Sequence, residues 1–79
     1  MFEHLKVGDS IMWWTDAHDR GVEPDHPDAR RRTGTITNVY RHPRDNDRVV
    51  ALGVQCSGLL GSYGATVRPD YNHRPTLAD

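Results

Sequence analysis

The chain has 79 residues, ten of them basic and eleven acidic, for a formal net charge of −1, and 35% of it is hydrophobic. That length makes one small domain, residues 1–79, whose core supplies about 3–5 kcal/mol of net stability without a staple. The single cysteine, Cys56, excludes an intramolecular disulfide and points to a reducing compartment, the cytoplasm. No apolar run approaches the roughly 20 residues of a membrane-spanning helix, and the first residues lack a signal-peptide pattern, so no membrane partner is expected.

The near-zero net charge conceals a segregation. Residues 1–29 carry seven carboxylates against Lys6 and Arg20, whereas 30–48 carry six arginines against Asp45 and Asp47, which makes the molecule bipolar. Lys6 is the only lysine, a bias toward arginine that fits a GC-rich coding sequence.

The first strand is expected over Ser10 to Trp14, following the turn residues Gly8 and Asp9. Alternation puts Ile11 and Trp13 on one face and Met12 and Trp14 on the other. Both faces are apolar, so the two tryptophans either cover a small core or form an exposed aromatic pair. From Thr15 to Ala29 the pattern gives way to Asp, Pro, Gly and His, with only Ala17, Val22 and Ala29 apolar. This composition predicts a long, mobile, acidic loop, of a length that compact domains usually keep for binding.

The second strand is expected from Thr33 to about His42, with Arg30, Arg31 and Arg32 preceding it. A bulge near Asn38 would bring Ile36 and Val39 to the same side. Residues 43–47, Pro-Arg-Asp-Asn-Asp, read as a hairpin turn. The third strand, Arg48 to Cys56, offers a core stripe of Val50, Leu52, Val54 and Cys56. In the Gly-flanked connection at 57–62, Leu59 and Leu60 are placed to plug one end of the fold. A fourth strand from about Tyr63 to Arg68, a 3₁₀ turn at 69–72 and a short last strand or tail over 73–79 complete the chain.

Three segments, Val7-Gly8-Asp9-Ser10-Ile11, Gly34-Thr35-Ile36-Thr37-Asn38-Val39 and Val67-Arg68-Pro69-Asp70, together resemble the SH3-like small barrels of the KOW and Tudor-like kind. The resemblance implies an all-β fold: a small antiparallel barrel of four to five strands, here with the acidic loop inserted between strands one and two. An aromatic cage of the Tudor type would need Trp13, Trp14, Tyr40, Tyr63 and Tyr71 to converge.

Catalysis has little to stand on. There is no nucleophile elbow, Walker loop or dinucleotide fingerprint, and the carboxylates fall in the loop. No cofactor is expected. The loop histidines and carboxylates match no zinc or calcium spacing, so no metal site is assigned, and Cys56, in phase with its apolar neighbours, reads as a structural thiol. Two binding classes remain. In the first, the chain is a non-enzymatic adaptor, inhibitor or minor structural component docking on a larger protein assembly through Trp13, Trp14, Tyr40, Asp16, Asp19 and Glu23. In the second, Arg30, Arg31, Arg32, Arg41, Arg44 and Arg48 bind RNA or single-stranded DNA.

Overall fold

The computed structural model describes residues 2, 4–45, 47–58 and 60–78. Five strands, β1 (Ser10–Thr15), β2 (Arg30–Arg41), β3 (Val49–Gly58), β4 (Gly61–Val67) and β5 (Thr76–Leu77), are joined by turns and a single 3₁₀ turn, Pro69–Tyr71. They form one antiparallel sheet in the order β4-β3-β2-β1-β5. The sheet is open: β4 and β5 are its two edges and do not pair with each other. The all-β expectation with five strands therefore holds, while closure into a barrel is absent from the pairing.

The motif at Val7-Gly8-Asp9 starts β1 for a local reason. Gly8 takes a positive φ of 96°, which a side chain would resist, and the Asp9 carboxylate accepts from the Lys6 N–H at 3.0 Å. The turn then registers against β2, since the Gly8 N–H donates to the Ile36 carbonyl and the Ile36 N–H donates to that of Asp9, both at 2.9 Å.

One face of the sheet carries the core. Ile11 and Trp13 from β1, Ile36 from β2, Leu52, Val54 and Cys56 from β3, and Val67 from β4 are buried together with Phe2 and Leu5 of the N-terminal segment. The β1 alternation is as expected: Ile11, Trp13 and Thr15 are buried, Met12 and Trp14 half-buried. Trp13 is 1% exposed, so it belongs to the core and is withdrawn as a docking residue. The bulge in β2 is present, the pairing shifting between Ile36 and Asn38, and it leaves Ile36 buried with Val39 packed against the same cluster.

Three details depart from the sequence reading. A second shift, between Tyr40 and Arg41, pairs Tyr40 with Ala51 but Arg41 with Val49. The extra residue in β3 is Val50, so Val49 takes the buried place. Leu60 is fully exposed at the β3–β4 turn and plugs nothing; Leu59 lies outside the described residues, as do Asn46 of the β2–β3 turn and Asp79 of the tail. Finally, β2 begins at Arg30, so Arg30, Arg31 and Arg32 lie within the strand and pair with Thr15, Trp14 and Trp13.

Candidate binding surface

The loop between β1 and β2, residues 16–29, bears five carboxylates and one arginine, and its first half is packed onto the fold. Asp16 makes the turn by accepting, through Oδ1, the N–H groups of His18 at 2.8 Å and Arg20 at 3.0 Å. The chain then returns to β1, where Gly21 bridges Thr15 and the Val22 N–H donates to the Trp14 carbonyl at 3.1 Å. A composition with almost nothing to bury still docks here, because its backbone finds partners that its side chains do not supply.

Those partners come from the end of the 3₁₀ turn and the residues that follow it. The Gly21 N–H donates to the Tyr71 carbonyl at 2.8 Å, and the Asn72 amide donates to the Gly21 carbonyl at 3.0 Å. His73, 1% exposed, accepts the Arg68 N–H on Nδ1 at 2.9 Å. Its proton is thereby assigned to Nε2, which donates to the Asp19 carbonyl at 2.6 Å. Asp19 itself has a positive φ of 65°, a conformation asparagine and aspartate tolerate better than most residues.

Two clefts flank this joint. One, about 950 Å³ and open, lies between the loop and the 3₁₀ turn, lined by Asp16, His18, Arg20, Gly21, Asp70, Tyr71 and Asn72. The other, about 300 Å³ and more enclosed, lies on the sheet face opposite the core. Met12, Trp14, Val22 and Pro24 give it apolar walls, Asn72 and Thr76 close it, and Glu23 and Arg74 complete its lining. Arg74 Nη1 stands 3.4 Å from Glu23 Oε1 with both side chains well exposed, a pair worth little in stability.

The sequence-assigned residues fall into separate places. Trp14 and Glu23 meet in the smaller cleft, and Asp16 lines the larger. Asp19 faces Arg32 at 3.6 Å. Tyr40 is exposed on β2, next to Gly53, about 30 Å along the strand from the residue that pairs with Trp14. No aromatic cage assembles: Trp13 is buried, the Arg32 guanidinium lies 5.8 Å from the Tyr63 ring centre, and Arg68 lies 4.9 Å from that of Tyr71. The arginines split likewise, with Arg30, Arg31 and Arg32 at one end of β2 and Arg41, Arg44 and Arg48 around its other end. Val22, Pro24 and Arg74 were not singled out from sequence. An apolar residue isolated in an acidic loop, Val22, was the one signal that could have marked the site.

Two carboxylates of the larger cleft are held in the ionised form. The Arg20 N–H, followed by that of His18, keeps Asp16 below the usual aspartate range, and the Arg68 guanidinium does the same for Asp70, with Nε 2.9 Å from Oδ1. A group lowered on folding favours the folded state above its unfolded pKa, and that contribution is lost as pH falls through the folded one. Asp70 is exposed and Asp16 only half-buried, so the effect on stability is small. It is expected to appear instead as an Asp16 titration, followed through the amide shifts of His18 and Arg20, with a midpoint below that of an ordinary aspartate. A midpoint at or above the ordinary value would contradict the turn.

Among the described residues no cluster of three or more His, Cys, Asp or Glu side chains is placed to hold a metal ion, and no helix is long and apolar enough to cross a membrane. Comparison with protein-family models, with curated proteins and with solved structures gave no match.

Proposed function

We propose that this protein is a non-enzymatic binding module of the SH3-like kind, acting in the cytoplasm, that docks on a larger protein by taking one apolar side chain of the partner into the Trp14 cleft. The observation that carries this reading is the cleft itself: an apolar-walled recess on the outer sheet face, its far wall fixed by the docked loop. An aromatic anchor beside a polar rim is how small interfaces concentrate their binding energy. The acidic loop beside the cleft favours a partner segment that is basic around its apolar residue. A 3₁₀ turn leading into a short last strand supports the SH3-like comparison. Nucleic acid is the weaker candidate, since its affinity rests on phosphate neutralisation and the arginines are divided between the two ends of β2.

The test is selection from a random peptide library, followed by NMR titration of the free protein with the selected peptide. Amide shifts are expected at Met12, Trp14, Val22 and Arg74. Trp14→Ala, checked for a native spectrum, is expected to weaken binding by about 30-fold, the loss of one hot-spot side chain. Peptide binding that leaves these amides unmoved would refute the reading. So would tight binding of a single-stranded oligonucleotide that Arg31→Ala abolishes and Trp14→Ala does not.

A further inference from the structure

The outer edge of β4 is built differently from the edge at β5. β5 has two residues and follows the buried Pro75, which leaves little backbone to pair with. β4 has seven residues, Gly-Ser-Tyr-Gly-Ala-Thr-Val, with no charge, proline or bulge, although charged residues, prolines and bulges are the means by which edges are usually protected. Only two residues separate Gly58 from its partner Gly61, so that pair closes the hairpin by exchanging both hydrogen bonds. Alternation along the uninterrupted register then turns the N–H and C=O groups of Ser62, Gly64 and Thr66 away from β3. Among the described residues no backbone hydrogen bond outside the β3 ladder reaches them, and all three are exposed.

We propose that β4 is a self-association edge that pairs antiparallel with β4 of a second copy of this chain, with Gly64 on the twofold axis. That register overlaps the whole strand. It sets Gly64 against its own copy and Ser62 against Thr66 of the partner subunit, so the outward groups of the three residues make six hydrogen bonds between subunits. No residue of β4 is charged, so no facing pair across the twofold axis sets like charges together. On one face of the new ladder the side chains are those of Ser62, Gly64 and Thr66, small enough for close approach, with the Ser–Thr pairs adding a cross-strand hydrogen bond; on the other face Tyr63 lies opposite the small Ala65 of the partner subunit. The sheet face over Gly64 is open, with no atom within 4 Å of where a Cβ would stand, so nothing there obstructs a neighbouring strand's side chains. The edge lies across the sheet from β1 and β5, so pairing leaves the Trp14 cleft free and stands independently of the function proposed for it.

The test is sedimentation of the whole chain over a concentration series, with amide hydrogen exchange at low and high concentration. A monomer–dimer equilibrium is expected, together with protection at Ser62, Gly64 and Thr66 that rises with concentration. Ser62→Lys with Thr66→Lys places lysine opposite lysine twice and should weaken the dimer by about tenfold. Ser62→Lys with Thr66→Glu, which places lysine opposite glutamate in this register alone, should restore it. A chain that stays monomeric at millimolar concentration overturns the proposal, as does a dimer whose strength ignores both charge patterns. Exchange on the unaltered protein decides the matter should a variant fail to fold.

Discussion

Trp13→Ala is expected to leave the protein largely unfolded at 25 °C. Trp13 is the largest fully buried side chain, in a cluster that draws on four strands and the N-terminal segment. Truncating a buried tryptophan costs about 3–5 kcal/mol, which equals the whole net stability of about 3–5 kcal/mol that a domain of this size has to lose. Loss of the dispersed amide spectrum would show it. Two controls separate packing from chemistry. Trp13→Phe keeps most of the ring and removes an indole N–H that is buried without a hydrogen-bond partner among the described residues, so it should still fold. Trp14→Ala, one residue along and on the other face, should fold too. A Trp13→Ala variant that melts like the wild type would mean that the core is not assembled around this strand.

Gly21→Ala is the second large effect, and it acts through the loop. A Cβ on Gly21 would stand 1.8 Å from the Asn72 carbonyl oxygen, 2.4 Å from its carbon and 2.9 Å from the His73 nitrogen. All three are backbone atoms, so no side-chain rotation relieves the clash, and the loop must leave the segment at Tyr71–His73. With it go the hydrogen bonds from Gly21 to Tyr71, from Asn72 to Gly21 and from His73 to Asp19. At about 1 kcal/mol each their loss lowers the melting temperature by on the order of 15 °C. Amide exchange at Gly21 and Val22 should accelerate, and the Trp14 cleft should lose the wall that Val22 and Pro24 supply. Wild-type melting with unchanged exchange at those amides would refute the docking of the loop.

The strands were legible because period two is written plainly in β1 and β3, and the β2 bulge was legible because Ile36 and Val39 need it to share a face. Position 49 was not. The shift that buries Val49 in place of Val50 depends on how β3 pairs with Arg41, and two adjacent valines are indistinguishable to a pattern. The two tryptophans were ambiguous for the same reason: apolar residues on both sides of β1 leave the core face unmarked until neighbouring strands are laid beside it. The docked loop was hidden more deeply. Its fixing points are main-chain groups and one glycine, and Gly21 in a run of Asp, Pro and His reads as a flexible turn. Its role follows from Asn72 and His73, some fifty positions further along, which no local pattern connects to it.

The placement of β1 between β2 and β5 also bears on the order in which the molecule can be assembled. Ile11 meets Leu77, and Gly21 meets Tyr71, so both unions join an early stretch of polypeptide to a late one. During synthesis β2, β3 and β4 can form a meander as they emerge from the ribosome, each strand beside the one just made. β1 has only its β2 side occupied until β5 has also been made. For that interval its other flank, with Trp14 beside it, is an unfilled template in the nascent chain. Such long-range closure slows folding relative to the local hairpins and makes residues 71–77 the ones that shield the first strand from its neighbours in a crowded cell.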